Sequence, residues 1–377
     1  MNLFDVLIIG GGLAGSATAL HLSKQGYSVL ILEKENNIKL IPCAGGMAAS
    51  VKSYLPLNIN EAIETKVENV HFTWKSIDEV IANLSGESPF YVVKRETLDA
   101  LLIEKAIIYG AKIIKPVNIK DIINKNDIWE ITCNGKNIFK SKFLVVADGS
   151  ESSWTSFFRL GPPKPKYAET IAIRMKGRGN IEKNSVRFDF GSVRYGFAWA
   201  FPLKNSVNIG LGSFIGKANL DNISMYNQII NNFGFKDSDY NPTYRKLRIW
   251  NGFYKLHCER VVVIGDAASL CDPFLAEGIR PALISSYYAA KCIHECFTKN
   301  SYDLSKYSTI MKLQWSSSMS WGKRIAEVFY RFPRTGYKLG VKRKTAPRRI
   351  AQILSGEMSY EDIARRVIKR LLFQSSN

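Results

Sequence analysis

The chain has 377 residues, of which 46% are hydrophobic, 12% aromatic and 23% charged. This excludes an intrinsically disordered protein and is enough for two to three domains with a sizeable core. The formal net charge is +19, which calls for an anionic partner or a strongly solvated surface.

No apolar run reaches the ~18–20 residues of a membrane-spanning helix. The start, Met1-Asn2-Leu3-Phe4-Asp5, has no basic segment of the kind that opens a signal peptide, so the expected compartment is cytoplasmic. The six cysteines (Cys43, Cys133, Cys258, Cys271, Cys292 and Cys296) form no CxxC pair, so neither a zinc ribbon nor a thioredoxin-type motif is expected. Cys292 and Cys296 lie one helical turn apart around His294. Two small residues on a buried helix face account for them better than a metal site.

Residues 4–9 (FDVLII) predict a buried strand that runs straight into glycines, residues 14–25 a helix, and residues 27–32 (YSVLIL) a second buried strand. Together they make a βαβ unit. Residues 68–94 predict strands of a second sheet, and Thr97 to Tyr109 a helix ended by Gly110. Phe143 to Ala147 reads as a short buried strand closed by Asp148-Gly149. Residues 167–254 read as strands, with a helix near 225–232. Arg260 to Ile264 is another buried strand, followed by Gly265-Asp266 and then by a long helix from Glu277 to about Cys296. The remainder is helical and basic. Residues 323–370 hold fourteen Lys and Arg against four acids (Glu327, Glu357, Glu361 and Asp362).

Gly10-Gly11-Gly12-Leu13-Ala14-Gly15 is a GxGxxG turn set between a strand and a helix. The first glycine makes the turn, the second lets backbone approach a pyrophosphate, and the third packs helix on strand. The helix N-terminus then offers free N–H groups and a positive dipole end to phosphate. Glu33 ends the second strand, where it can accept hydrogen bonds from ribose hydroxyls; an acid there suits FAD or NAD rather than NADP. The later segments choose between these two. Ala147-Asp148-Gly149 and Gly265-Asp266 each follow a strand. A carboxylate at a strand end can hold a ribityl hydroxyl, and a helix beginning near Gly278 can direct N–H groups at a flavin. A plain NAD dehydrogenase needs neither, so FAD is the expected cofactor. Asp148 has two readings, a pyrophosphate contact or a cap for the following helix.

With these segments the chain resembles the FAD-dependent hydroxylases built like p-hydroxybenzoate hydroxylase, and among them the geranylgeranyl reductases. The resemblance is carried by GxGxxG with Glu33, by Pro42-Cys43-Ala44-Gly45-Gly46-Met47, by Arg95-Glu96-Thr97-Leu98-Asp99, by Phe197-Ala198-Trp199-Ala200-Phe201-Pro202-Leu203-Lys204, and by Gly265-Asp266 through Gly278-Ile279. It spans residues 5 to about 295. It implies an α/β (α+β overall) fold: a Rossmann-like FAD-binding domain (1–66, 92–166 and 255–305), an antiparallel-sheet substrate domain interleaved with it (67–91 and 167–254), and a helical, basic C-terminal region (306–377). Cofactor contacts would come from Gly10, Gly12, Ala14, Gly15, Glu33 and Lys34 at the adenosine and pyrophosphate end, with Val117 on the adenine side. Cys43, Ala44, Gly45 and Gly46 would lie along the flavin, with Arg95, Asp148, Asp266, Gly278 and Ile279 completing the site. The sequence departs from the family pattern where Ala44 and Glu277 replace frequent glycines and where Arg280-Pro281 opens a helix.

Phe197, Trp199 and Phe201 alternate, so they project from one face of a strand. Such a stripe is ordinary sheet core, or the wall of the apolar tunnel a prenyl chain would need. The resemblance implies FAD-dependent reduction of C=C bonds in a prenyl lipid or prenyl diphosphate, with Tyr195, Phe197, Trp199 and Phe201 at the substrate. Cys43, Tyr195 or a flavin-bound water stand as proton donors, and Cys43 is the one residue assigned a catalytic role. The chain has no second GxGxxG, so reductant would come from transient NAD(P)H or from a ferredoxin. The basic C-terminal region would meet that ferredoxin or an anionic membrane surface as a peripheral attachment; nucleic acid is not the expected partner. The alternatives are a flavin monooxygenase, a flavin-dependent halogenase, and a prenyl-binding escort protein without catalysis.

Overall fold

The computed structural model describes residues 3–36, 43–84, 90–134, 137–216, 220, 223–236 and 241–374. Pro42, which opens the Pro-Cys loop, lies outside the described residues.

The first strand, Leu3–Ile9, sits at the centre of an eight-stranded sheet. It pairs in parallel with Val29–Leu32 on one side and with Ile138–Val146 on the other, with Ile8 opposite both Ile31 and Val145. Lys112–Ile114 and Val261–Val263 extend the parallel order outward. These strands are near-continuous apolar runs because both of their faces are covered. The helices Leu13–Lys24, Arg95–Ile108 and Ile279–Thr298 pack together, with the first in contact with the other two. Pro281 is tolerated because it stands in the first turn of Ile279–Thr298, where no intrahelical N–H bond is lost.

Ile119–Lys125 and Ile128–Cys133 form an antiparallel extension on Ile138–Val146. The sequence pattern does not announce the first of these, because only Ile122 along it is buried.

The second sheet has seven strands, in the order Thr243–Ile249, Lys166–Lys176, Ser206–Ser213, Gly196–Pro202, Ser185–Phe190, Asn69–Trp74 and Asp78–Asn83. It departs from a purely antiparallel sheet at one junction, where Ser185–Phe190 and Asn69–Trp74 run parallel. The hairpin 69–83 enters from an earlier part of the chain and joins there. The helix Ile223–Asn232 covers the outer face, where Ile229, Ile230 and Phe233 pack with Ala198, Ala200 and Ile209.

Residues 90–93, expected in the second sheet, instead form the middle of a three-stranded sheet with Gly46–Ala48 and Ile63–Val67. Gly46 is required at that meeting point: a Cβ there would stand 2.7 Å from the Phe90 ring and 2.8 Å from that of Phe201.

The C-terminal region is helical, as Ser305–Met311, Ser317–Arg331, Pro333–Gly340, Ala346–Ser355 and Tyr360–Gln374. It is packed onto the body by fully buried tyrosines. Tyr307 donates its hydroxyl to the Val263 carbonyl (2.9 Å), Tyr330 to that of Phe274 (2.5 Å), and Tyr360 to Asp272 Oδ2 (2.7 Å). The Tyr337 hydroxyl lies 3.0 Å from the Phe72 carbonyl oxygen and 2.5 Å from that of Asp78. Arg331, Arg334, Lys338 and Lys342 point outward. Tyr337→Phe leaves the strand-end carbonyls without their donor and is expected to lower unfolding stability by about 1–3 kcal/mol. Denaturant titration measures this, and an unchanged midpoint would show that the anchor is dispensable.

Candidate cofactor and substrate site

The turn after Leu3–Ile9 is closed by contact. Gly10 has φ +102°, and a Cβ there would lie 2.4 Å from the Ala147 carbonyl oxygen. A Cβ on Gly15 would lie 2.0 Å from the Gly10 carbonyl oxygen. Glu33 steadies the same turn. Its Oε2 accepts the Gly11 N–H at 2.6 Å and its Oε1 accepts the Glu35 N–H at 2.9 Å.

A cavity of about 470 Å³ opens from this turn. Gly10, Gly12, Ala14, Glu33 and Lys34 line one end, together with Val117. Gly15 is not on the wall; it packs beneath. Cys43, Ala44, Gly45, Gly46 and Arg95 line the cavity, as do Asp148, Asp266, Gly278 and Ile279. So do Phe197, Trp199 and Phe201, which are therefore both buried and cavity-facing. Tyr195 is not among the lining residues; its hydroxyl accepts a hydrogen bond from Arg194 (2.9 Å).

The aromatic wall is made possible by small neighbours. A Cβ on Gly210 would stand 2.1 Å from the Trp199 ring, and one on Gly212 would stand 2.8 Å from the Phe214 ring. Trp199 is fixed by its Nε1–H, which donates to Asn208 Oδ1 at 3.1 Å. Phe188, opposite Trp199 in register, adds to the wall.

The charged groups of the wall are held in pairs. Arg95 donates to both oxygens of Asp99 (3.2 and 3.1 Å), and its Nη1 reaches the Cys43 sulfur at 3.7 Å. The Gly45 N–H also points at that sulfur, at 3.4 Å. Arg245 donates to Asp266 Oδ2 at 2.8 Å. Burial raises the Asp148 carboxyl above its ordinary range, and its Oδ1 has no hydrogen-bond partner. Glu277 is also pushed up, to about 7, first by burial; nearby Arg280 pulls the other way and Asp272 adds to the rise.

The sequence pattern missed Phe188, Phe214, Arg245, Glu277 and Leu354 on this wall. Phe188 carried a usable signal in the alternation Val186, Phe188, Phe190. Leu354 carried none, because its position follows from the docking of the C-terminal helices. Among the described residues no cluster of His, Cys, Asp and Glu could hold a metal ion.

Comparison with known proteins bears on the cofactor class and the fold. Residues 5–85 match the family model for FAD dependent oxidoreductases. An uncharacterised protein of Methanosarcina barkeri is 27% identical over 80% of this chain and 78% of its own length. A digeranylgeranylglycerophospholipid reductase of Methanosarcina acetivorans is 25% identical over 83% of this chain and 81% of its own length. The chain is an FAD-dependent oxidoreductase, and it is similar to geranylgeranyl reductase-named proteins over about four fifths of its length.

Among solved structures, a geranylgeranyl bacteriochlorophyll reductase-like protein of Thermoplasma acidophilum matches with a TM-score of 0.75 at 21% identity, covering 94% of this chain and 92% of that one. The halogenase PltM, solved with phloroglucinol and FAD, matches at 0.69 and 16% identity, over 87% of this chain and 76% of that one. These two likenesses concern the fold.

The residues present fit FAD. The turn has no room for a side chain at Gly10 or Gly15, and a buried carboxyl oxygen on Asp148 is left without a partner on the wall. The non-catalytic escort alternative falls with the assignment of the chain as an oxidoreductase. Glu33→Ala removes a charged acceptor from the glycine turn as well as the candidate ribose partner, a loss of about 1.5–3 kcal/mol. FAD affinity is expected to fall at least about tenfold. Fluorescence titration of the apoprotein with FAD tests this, and unchanged affinity would remove Glu33 from the site.

Proposed function

We propose that this enzyme reduces isolated C=C bonds in a prenyl chain carried by a phospholipid or diphosphate. The observation that carries the reading is the aromatic face of Phe188, Phe197, Trp199, Phe201 and Phe214, continuous with the cofactor cavity. A long apolar chain needs a dry wall of this kind and few polar contacts. The name of the Methanosarcina acetivorans relative supports the same substrate class.

FAD supplies the hydride when bound and reduced. In this reading the chain's own residues hold the cofactor in the segments 1–66, 92–166 and 255–305, with the glycine turn and the start of Ile279–Thr298 directing N–H groups at it. The sheet of 67–91 and 167–254 presents the alkene and excludes water. Arg95, locked by Asp99, orients the Cys43 loop. The electrons come from NAD(P)H, as one hydride, or from a ferredoxin, in two single-electron steps.

The test is anaerobic incubation of the reduced holoenzyme with geranylgeranyl lipids. Mass spectrometry is expected to find two added hydrogens per reduced bond. Trp199→Ala is expected to keep FAD bound and to lower turnover of the long substrate by tenfold or more, that is, by more than about 1.4 kcal/mol in the barrier. Oxygen consumption with an oxygenated or halogenated product, and no hydrogen added to the lipid, would instead favour a monooxygenase or halogenase.

A second proposal concerns the basic C-terminal region. Among the described residues no helix is long and apolar enough to cross a membrane. Phe332 and Leu339 are exposed among Arg331, Arg334, Lys338, Lys342, Arg343 and Lys344. Rings and aliphatic side chains set among cations suit an anionic lipid surface, where each cation contributes about 1 kcal/mol. Flotation with anionic liposomes is expected at low salt and is expected to weaken as the Debye length shrinks towards about 3 Å in 1 M salt. Absence of flotation at low salt refutes the lipid surface and leaves a ferredoxin to be tested there.

A further inference from the structure

Saturating a double bond takes a proton as well as a hydride, and the donors expected from the sequence are poorly placed for it. The Cys43 sulfur is engaged by the Gly45 N–H and by Arg95. Tyr195 is not on the cavity wall.

Glu277 is on it, between Ala276 and Gly278. Its side chain is 9% exposed, and its Oε2 lies 2.7 Å from Arg280 Nη2 in a buried ion pair. That pairing lowers the carboxyl's proton affinity but does not cancel the larger effect of burial. The guanidinium is shared, with Nη1 also donating to the Ile353 carbonyl (3.3 Å) and its carbon 5.2 Å from the centre of the Trp315 ring.

The turn that presents Glu277 is built on Asp272. Its Oδ1 accepts the N–H groups of Phe274 (2.7 Å) and Leu275 (3.0 Å), and its Oδ2 accepts the Tyr360 hydroxyl. The Asp272 N–H in turn donates to the Glu277 carbonyl at 3.0 Å. The charged and titratable groups around the carboxyl are Arg280 in the first turn of the following helix, Asp272 and the buried Cys271 thiol in the turn, and Tyr360 from the C-terminal helices through Asp272. Asp266 shares the wall and is paired with Arg245.

We propose that Glu277 is the general acid of the reduction, giving its carboxyl proton to the alkene carbon next to the one that receives the hydride. The inference rests on the proposed prenyl reduction. The π pair of the alkene forms one new C–H bond with that proton, and the O–H electrons stay on the carboxylate, beside Arg280. The other C–H bond takes both its electrons from the hydride of the reduced flavin. Water entering as product leaves returns the proton to Glu277.

Burial beside Asp272 supports the protonated form, holding Glu277 near 7 against the pull of Arg280. An acid works only while it is protonated, so kcat should fall as pH rises through about 7.

The test has a readout that needs no turnover. Infrared difference spectra of the oxidised holoprotein, without substrate, should show a protonated-carboxyl C=O band that disappears as pH rises through about 7. The band should be absent from E277Q. Turnover by E277Q should fall about 10²-fold or more, and it should lose the high-pH decline, while FAD occupancy and flavin reduction by dithionite stay unchanged. If E277Q does not fold, E277D keeps the charge but draws the carboxyl back by one methylene; it should keep a band and lose turnover. A band titrating near pH 7 that keeps its full intensity in E277Q, or E277Q or E277D turning over at the wild-type rate with the same pH profile, overturns the proposal; Asp148 and Asp272, also raised by burial, are separated from it by their own Asn variants. A wild-type enzyme that reduces no prenyl alkene overturns the function reading and this role with it, even if the band is present.

Discussion

The structure depends on one close approach. At the end of the central strand, the Gly10 backbone comes so near the Ala147 carbonyl that no side chain fits between them. The contact joins the first βα turn to the end of Ile138–Val146, a strand more than a hundred residues later in the chain. Gly15 repeats the constraint from the helix side, against Gly10 itself. Two strand ends and one helix N-terminus are thereby brought to a point where a pyrophosphate can meet bare N–H groups. A third segment is tied to the same place. Gly265 donates its N–H to Ser285 Oγ, and Ser286 Oγ donates to the Ala14 carbonyl. The turn before Ile279–Thr298 is therefore positioned by the same glycine loop.

The other wall of the cavity is held from outside the nucleotide fold. Asp272 is fully buried, and burial raises its carboxyl above the usual range. Its two oxygens are satisfied by the turn's own N–H groups and by Tyr360. Tyr330 and Trp315 add hydrogen bonds to the Phe274 and Leu270 carbonyls. The C-terminal helices therefore brace the segment 270–280 and contribute Leu354 to the cavity directly. A region whose sequence reads as a basic tail is structurally part of the site.

This marks where the sequence was legible. The glycine turn, Glu33, the Arg95 segment and the Phe197–Phe201 stripe could be read because each meets a local steric or periodic demand. Backbone approach requires glycine, and a strand face requires alternation. The parallel junction between Ser185–Phe190 and Asn69–Trp74 could not be read in this way, because strand order is decided by long-range packing. Nor could the roles of Arg245 and Glu277. A single charged residue in a strand or a turn has no period, and what singles these two out is burial beside a partner distant in the chain or across a turn. Tyr195 shows the converse. Its place beside the aromatic stripe in sequence implied a place at the cavity, but it has a left-handed φ of +61°, and its hydroxyl meets Arg194 instead.

The charge balance of the site runs against that of the chain. The net +19 predicts cations wherever an anion binds. Among the described residues, however, the cavity is lined by Lys34, Arg95 and Arg245 against Glu33, Asp148, Glu151, Asp266 and Glu277. Arg95 and Arg245 are already committed to Asp99 and Asp266. A cofactor pyrophosphate must then be held mainly by oriented N–H groups and the helix dipole, which carry no counter-ion and need no side-chain ordering. The surrounding excess of acid has a second effect. Each buried carboxylate makes it harder for the next to ionise, since unlike surface charges they are little screened by water. Asp272 raises Glu277 in this sense. The same excess of acid raises the proton affinity of Glu277 on the cavity wall, while many of the chain's cations are displayed on the outer face of the C-terminal helices.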